Sequence, residues 1–504
     1  MSSGLRLSRG AVRRLAVGLV LLGAFVGAAE INIAGSPSST PGAFAPAFSI
    51  SPTSSDSSTW YCSIPAMAKF ASQNIVLHLT NTSDRILKAK VALSIGGTVS
   101  STALTVAAKA DRSVPLSASA KNATGVTVDF AGGASLAGLA ISGPNGYSQE
   151  FCQPSPGPSW IVEGLSTAGK SLGVVSVYNP FGTDSIVDMS LLTSSGSQSP
   201  GPLQAMVLTP GASLNVNLLD WEQGQRPMAV KITTRLGRVV VGGLELRSDS
   251  SASGISFAPA MAETFDNYNF PLLDQTSNQS VTLDLYNFSS LAQKVKVAIQ
   301  SLGQMGSAAA TLTSGATTTP SGTKSSFSEV VPAETAVSIP LKTLASVPVG
   351  TLFSLSAQGS GTVSALITQA GSSLGPSDGL FLDPGANQSW PSWFSMLYEA
   401  PISIHYDRVA VAYSTASASA TALLTRYLHH QTAGVASNSA APSADSGTGL
   451  VLASRQNQAS ILRTSNPGGF PASFLLNSSG STVFAMAFIS ADGSLIPFAS
   501  IPTD

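Results

Sequence analysis

The amino-acid sequence predicts an all-β protein made of tandem antiparallel β-sandwich modules, preceded by an N-terminal signal peptide or anchor helix. Three observations predict this class. Charged residues make up only 10% of the 504 residues, which disfavours long solvent-exposed helices. Short alternating segments follow one another without intervening amphipathic helices. One order of segments also recurs at intervals of about 100 residues, the usual size of a sandwich domain.

Residues 1–29 have the layout of an export signal. The first part is basic and contains no acid, with arginines at Arg6, Arg9, Arg13 and Arg14. An uninterrupted apolar run from Leu15 to Ala29 follows, and it is short for a membrane-spanning helix. This order predicts either a cleaved signal peptide or an uncleaved membrane anchor. We therefore expect an extracytoplasmic protein, secreted or anchored to the outer face of the plasma membrane, with membrane contact only through residues 15–29 if they are retained.

A repeated order of strands predicts four modules after a Ser/Pro-rich tether at residues 30–59. Each repeat opens on an aromatic residue, namely Trp60, Trp160, Phe270, and then Trp390 or Trp393. An alternating strand follows and ends, in the first three repeats, at Asn81, Asn179 and Asn287. We expect β-sandwich modules at residues 60–152, 158–247, 265–370 and 390–504. Linkers such as Gln153–Ser159 are expected to act as joints between modules with small, polar contacts.

The cysteine count predicts one disulfide. Cys62 and Cys152 are the two cysteines of the chain, and an even count in an exported protein favours pairing. They stand at the two ends of module 1, so a bridge would staple that module. The four histidines are scattered, and no metal site is expected from them.

Module 2 carries a family resemblance. The order of its segments resembles that of an actinobacterial family of exported proteins. The segments are Trp160 with Glu163-Gly164, a strand ending at Asn179-Pro180, and Val230–Gly243. That family is catalogued only as a domain of unknown function and consists of tandem immunoglobulin-like modules. The opening Trp60-Tyr61-Cys62 is also similar to its first module, whereas module 4 has Ser414 in place of the Asn. The resemblance implies immunoglobulin-like sandwiches facing the cell envelope, and it brings no catalytic residues.

Two segments match motifs of catalytic or nucleotide-binding proteins. Gly164–Ser171 fits the phosphate-binding pattern G-x-x-x-x-G-K-S, but that site needs a helix after the loop, and Leu172–Asn179 alternates as a strand. Gly375–Gly379 fits the G-x-S-x-G pattern of serine hydrolases, with His405 and Asp407 further along the chain. We expect a loop and an inter-module turn at these places. His78 alternates with apolar residues and is expected to be exposed.

Asp220-Trp221-Glu222 is the candidate ligand site. An aromatic ring between two acids suits glycan stacking with hydrogen bonds from the carboxylates, and the alternative is a loop Trp that fills a module boundary.

The function expected from the sequence is that of an exported, non-catalytic cell-envelope protein. It would act as a spacer or protein-interaction scaffold, and a carbohydrate-binding accessory to envelope polysaccharide assembly is the alternative. A secreted hydrolase is the third possibility. The expected partner is an envelope protein or polysaccharide, without a cofactor. Because the net charge is -1, the chain lacks the positive electrostatic field that would attract nucleic-acid phosphates, and a nucleic-acid partner is not expected.

Overall fold

The computed structural model describes residues 55–66, 72–116, 124–144, 146–249, 253–275, 279–304, 324–344, 351–371 and 379–384, together with the strands of the last quarter of the chain. They belong to one compact unit, Ala47–Asp504. The predicted signal or anchor helix lies outside the described residues. Within the described part, no helix has both the length and the apolar character needed to cross a membrane.

Sandwich 1 consists of two four-stranded antiparallel sheets. Its strands β1 to β8 are Ser58–Ile64, Asn74–Asn81, Leu87–Ile95, Thr98–Val106, Ala110–Pro115, Thr124–Phe130, Ser135–Gly143 and Gly146–Phe151. The first sheet has the order β1-β6-β3-β4, and the second has the order β5-β2-β7-β8. Alternate residues point between the sheets, so Trp60 from the first sheet meets Leu77 and Leu139 from the second in one buried core.

Sandwich 2 contains strands β9 to β18 and two single 3-10 turns, Gly201–Leu203 and Leu218–Asp220. The strands are Ser159–Leu165, Leu172–Tyr178, Ser185–Thr193, Gly196–Gln198, Met206–Leu208, Ser213–Asn217, Met228–Leu236, Val240–Ser248, Ser253–Ala258 and Ala260–Met261. One sheet has the order β12-β11-β15-β9-β18, with β13 also paired to β11, and the other has the order β14-β10-β16-β17. Trp160, Val175 and Met189 lie in the core between them.

Sandwich 3 repeats the connectivity of sandwich 1. Its strands β19 to β26 are Asn267–Gln275, Gln279–Asn287, Gln293–Gln304, Lys324–Val331, Ala336–Pro340, Thr351–Gln358, Val363–Gly371 and Gly379–Asp383, with a 3-10 turn at Leu341–Thr343. The sheets have the orders β19-β24-β21-β22 and β23-β20-β25-β26. Phe270, Leu283 and Phe353 lie in its core.

The fourth pair of sheets follows the same order of strands. Strands β27 to β35 are Ser392–Leu397, Tyr406–Thr415, Ala420–Leu428, Thr448–Leu452, Asn457–Arg463, Ala472–Ser479, Val483–Ala491, Ser494–Phe498 and Ser500–Pro502. They form a sheet β30-β29-β32-β27-β35 and a sheet β31-β28-β33-β34. The predicted all-β class of antiparallel sheets is therefore confirmed, whereas the predicted module limits stay a prediction.

The predicted disulfide between Cys62 and Cys152 is present, with their Cα atoms 4.7 Å apart. Cys62 lies in β1 and Cys152 directly follows β8, so the bond joins the first and last strands of sandwich 1. It closes a separation of 90 residues, and a crosslink of this span removes about 4 kcal/mol of chain entropy from the unfolded state.

A buried Asn holds the same loop in each of the first three sandwiches. The Nδ2 of Asn81 donates to the carbonyl oxygens of Arg85, Val106 and Ala107, and its Oδ1 accepts from the backbone N–H of Ser83. The other two asparagines make the corresponding bonds: Asn179 with Thr183, Leu208, Thr209 and Phe181, and Asn287 with Leu291, Val331, Pro332 and Ser289. All three side chains are fully buried. A carboxamide supplies both N–H donors and an acceptor oxygen, which explains why these strands end in Asn.

Replacing one of these amides by an acid should lower the stability of its sandwich. We expect Asn179→Asp to lower the stability of sandwich 2 by about 2–4 kcal/mol, because the new carboxylate would face three carbonyl oxygens without a proton to donate. Thermal and urea unfolding of the chain from residue 55 onward would measure this. Gln198→Glu makes the same chemical change at an exposed edge strand and should change stability by less than about 0.5 kcal/mol. Equal effects of the two substitutions would contradict the assigned role of Asn179.

Candidate functional site

In the described part of the chain, hydrogen-bonded hydroxyls and buried acids lie where consecutive sandwiches pack together. Strand β1 of sandwich 1 contacts β10 and β16 of sandwich 2. The Ser63 hydroxyl donates to the Ser176 hydroxyl at 2.9 Å, and the Tyr178 hydroxyl lies 3.2 Å from that of Thr127. Apolar residues on the same face of sandwich 2 join the core of sandwich 1: Leu172, Val174, Leu244, Ile255 and Phe257. The outer face of this sheet of sandwich 2 therefore extends the apolar cluster of sandwich 1, while the inner core of sandwich 2 is a separate cluster.

The linker Gln153–Ser159 is bonded to the sandwiches that it connects. The backbone of Gln153 exchanges hydrogen bonds with Tyr61, and its side-chain amide donates to the Val241 carbonyl at 2.7 Å. Gly157 exchanges hydrogen bonds with Val239. The expectation that this linker acts as a joint is wrong, because Gln153 is bonded to sandwich 1 and to sandwich 2, and Gly157 is bonded to sandwich 2.

Sandwich 2 packs on sandwich 3 through its other sheet. Leu192 and Ala229 form a buried cluster there with Tyr286, Ala336 and Leu366. The Tyr286 hydroxyl accepts a hydrogen bond of 3.1 Å from the backbone N–H of Gly164. Gly164 has φ +77°, and a Cβ at this position would stand 2.8 Å from Leu366 and Leu382 of sandwich 3, so the close approach requires glycine.

Buried acids surround this second interface. Glu163 is completely buried, and neither of its carboxylate oxygens has a hydrogen-bond partner among the described residues. Asp284 accepts hydrogen bonds from Ser338 and Thr368. At the same end of sandwich 2, Glu245 accepts from the backbone N–H of Ser166 and lies 3.6 Å from the guanidinium of Arg247.

Burial changes the protonation of these acids. It raises the pKa of Glu163 to about 8, and the negative charge of Asp284 adds to the rise. Burial also raises the pKa of Glu245 to about 7, although Arg247 lowers it. The pKa of Asp284 rises for the same reason, against the hydrogen bonds from its hydroxyl partners. A neutral Glu163 is thus the form that the packed interface favours.

The third contact repeats the geometry of the first two. Strand β19, the first of sandwich 3, lies against β28, β31, β33 and β34 of the fourth pair of sheets. The edge strands that end the second sheets of successive sandwiches also lie beside one another, β8 next to β17 and β17 next to β26. Each sandwich therefore presents its first strand to the second sheet of the next one.

The predicted ligand residues lie at the end of a short 3-10 turn. Trp221 is half-buried and packs against the core of sandwich 2, and the Asn217 side chain donates to the Asp220 carboxylate at 2.9 Å. Glu222 donates its backbone N–H to the Leu218 carbonyl. Glycan binding by Trp221, Asp220 and Glu222 stays a prediction.

His78 is buried, so the expected exposure of this residue is wrong. Its Nδ1 lies 2.9 Å from the Asp111 carboxylate and 3.3 Å from the Ser113 hydroxyl. In a catalytic triad the acid and the nucleophile occupy opposite ring nitrogens, whereas here both contact the same one. The Asp111 carboxylate also accepts from Thr80, so the group forms a structural polar cluster on sandwich 1.

The remaining motif residues divide into two groups. Gly164–Ser171 links β9 directly to β10, so a strand follows the loop where a phosphate site would need a helix. His405, the side chain of Asp407 and most of Gly375–Gly379 lie outside the described residues. Within the part of the chain that the structure describes, no three His, Cys, Asp or Glu side chains are grouped as a metal site would require.

The interface acids were not predicted as a group, although the sequence carries a signal for them. Glu163, Glu245 and Asp284 each stand inside a strand whose neighbours are apolar, in IVEGL, GGLEL and TLDLY. An acid within an apolar strand costs free energy unless its surroundings are special. The sequence does not say that the surroundings come from the adjacent sandwich.

Comparison with protein families gives one match. A family described as a family of unknown function (DUF5719) matches residues 53–319, which is more than half of the chain. No curated protein matches the sequence.

Three solved structures are similar to the chain at low identity. A Thermotoga maritima protein, 1070, is 11% identical, with 25% of this chain and 97% of that chain covered and a TM-score of 0.20. The Streptomyces avermitilis α-L-rhamnosidase complexed with L-rhamnose is 10% identical over 71% of this chain and 47% of its own, with a TM-score of 0.14. The pilus backbone RrgB of Streptococcus pneumoniae is 10% identical over 65% and 84%, with a TM-score of 0.12. Scores this low carry no functional inference.

The buried acid at the second interface should make stability depend on pH. A carboxyl whose pKa is raised in the folded protein stabilises it fully below its unfolded pKa of 4.5, and this contribution is lost as the pH rises through about 8. We expect a higher melting temperature near pH 5 than near pH 8.5. Glu163→Gln should reduce that difference and raise the melting temperature at the alkaline end, because the amide stays neutral.

Glu263→Gln is the matched control, because it makes the same change of side chain at a residue that is exposed. It should leave the pH dependence of the melting temperature as in the natural chain. If Glu163→Gln also leaves it unchanged, Glu163 does not titrate in the interface and the assignment is wrong.

Proposed function

The chain belongs to the DUF5719 family of unknown function, and from its geometry we propose that it is a non-catalytic scaffold of the cell envelope. Consecutive sandwiches hold one another in fixed positions, and their loops bind an envelope protein. We further infer that the sandwiches are immunoglobulin-like, that the source is an actinobacterium and that residues 1–29 direct export. These inferences rest on the sequence patterns described above.

The single observation that carries the proposal is the recurrence of one rigid loop. In each of the first three sandwiches the loop after β2, β10 or β20 is fixed by the buried Asn. Each loop exposes one large apolar side chain, namely Ile86 at 69%, Phe181 at 38% and Leu291 at 70%. Apolar groups held rigidly in water favour protein contacts, because binding removes them from solvent without ordering a flexible loop.

Fixed spacing between the loops follows from the packing of the sandwiches. An apolar cluster that includes Leu172 and Val174 joins the first two sandwiches, and the apolar cluster around Tyr286 joins the second and third. A partner that contacts two loops at once gains most effective concentration when the separation of the loops matches its own binding sites, and a fixed separation maintains that match. The packed interfaces support this requirement better than flexible joints would.

Removing the three exposed apolar side chains of these loops should abolish partner binding without unfolding the protein. We expect the combined variant Ile86→Ser, Phe181→Ser, Leu291→Ser to lose the envelope proteins that the natural chain retains in crosslinked pull-downs from detergent-solubilised envelope. Its melting temperature should change little, since these side chains are exposed. Val330→Ser removes an equally exposed apolar side chain from an edge strand and should retain the partners. Loss of envelope polysaccharide binding in Trp221→Ala, with the loop variant unaffected, would favour the carbohydrate-binding alternative.

Separating two sandwiches should reduce binding even when every loop is intact. A Cβ at Gly242 would lie 2.0 Å from the Ser63 carbonyl oxygen, so Gly242→Val forces sandwich 1 away from sandwich 2. Spin labels on the two sandwiches should give a narrow distance distribution in the natural chain and a broad one in this variant, with weaker partner retention. Gly182→Val is the control, because a Cβ there meets no atom within 4 Å. A broad distribution in the natural chain would contradict the rigid scaffold.

A further inference from the structure

Strand β4 is a long edge strand, and no other strand of the described residues pairs with its outer side. It spans Thr98–Val106, pairs with β3 along its whole length and forms one margin of the first sheet of sandwich 1. Residues 98–103 and 105 are exposed. An edge of this kind presents a row of backbone N–H and C=O groups to water, which is a template for pairing with a further strand.

The corresponding edges of the next two sandwiches are protected in ways that β4 is not. In sandwich 2 the edge is divided into the three-residue strands β12 and β13, separated by a turn that contains Pro202. In sandwich 3 the edge strand β22 carries Lys324 and Glu329. Strand β4 (TVSSTALTV) contains no proline and no charged residue, and its pairing with β3 has no bulge. Short strands, prolines, charges and bulges are the devices that keep edges apart.

Contacts at each end define the stretch of β4 that is open for pairing. The Arg112 guanidinium donates to the Thr105 carbonyl at 2.7 Å, on the side of the strand that faces away from β3. At the other end Val99 lies beside Gly211 of sandwich 2. Residues Ser100–Leu104 lie between these contacts. Because carbonyl directions alternate along a strand, Ser101 and Ala103 direct their backbone groups outward, as Thr105 does.

We propose that β4 pairs with β4 of a second copy of this chain, in an antiparallel arrangement with twofold symmetry centred on Thr102. Thr102 would stand opposite its own counterpart, and Ser101 opposite Ala103. A Thr–Thr cross-strand pair is favourable, and an antiparallel strand is always complementary to itself about a twofold axis. The first sheet of sandwich 1 would thereby continue into the partner's sheet.

Side-chain chemistry favours a copy of β4 over an unrelated strand. Side chains on both faces of residues 98–103 are exposed, so among the described residues no walled pocket adjoins these positions to select the side chains of another protein. The nearest cations on the neighbouring strand, Lys88 and Lys90, would not oppose pairing of two copies. The two β3 strands would be three strand spacings apart, about 14 Å, which exceeds the Debye length of about 8 Å at physiological salt.

Sedimentation velocity of the chain from residue 55 onward, from micromolar to submillimolar concentration, tests the proposal. We expect the mass to rise with concentration from that of the monomer towards that of a dimer, and to stop there because the twofold axis closes the contact. Ala103→Pro removes an outward N–H without breaking the pairing with β3, and Ala103→Lys places a charge on the edge. Both variants should stay monomeric with unchanged circular dichroism and an intact Cys62–Cys152 bond.

Val330→Lys is the matched control, since it places the same charge on the exposed edge strand of sandwich 3. It should dimerise as the natural chain does. A natural chain that stays monomeric throughout the range overturns the proposal, and so does a dimer that persists in both Ala103 variants or an assembly that grows beyond two copies. The outcome is independent of the loop variant above, because the loop residues and β4 are altered separately.

Discussion

The structure depends on one local interaction, the buried Asn that donates its amide to three carbonyl oxygens at the end of β2, β10 and β20. This bond network fixes where the strand ends and therefore which residues point inward. The residue three positions before each Asn then lies on the outer face of the sheet, since side chains alternate. Those residues are His78, Ser176 and Asp284, and each is buried with a polar partner.

The outer faces of these sheets are buried, which changes the energetics of the whole chain. All seven residues of β10 are buried. One face of this strand packs in the core of sandwich 2, and the other face packs against sandwich 1. The gain in apolar area is accompanied by desolvation of Ser176, Glu163 and Asp284. A hydroxyl pair such as Ser63–Ser176 offsets that cost, whereas Glu163 does so by keeping its proton. Packing and protonation are therefore coupled at the second interface.

Much of the fold could be predicted because its signals are local. Alternation, the Asn at the strand ends and the two cysteines depend only on residues close in sequence or on cysteine count. His78 and the linker Gln153–Ser159 were misjudged for one physical reason. Alternation identifies two faces of a strand but does not say that the second face meets water, and here another sandwich or polar cluster occupies it. The acid cluster escaped prediction likewise, because Glu163 and Asp284 come from different sandwiches and meet only after packing.

Stacking also determines where other molecules can make contact. When consecutive sandwiches use their sheet faces against one another, the groups left in water are loop tips and sheet edges. Loop tips such as Phe181 are rigid because an Asn holds the backbone beneath them, and the edge β4 is rigid because β3 pairs with it along its length. Rigid groups lose little entropy on binding, so both kinds of surface can bind with few contacts. A weakly charged chain that lacks long-range electrostatic attraction has reason to rely on such preformed surfaces.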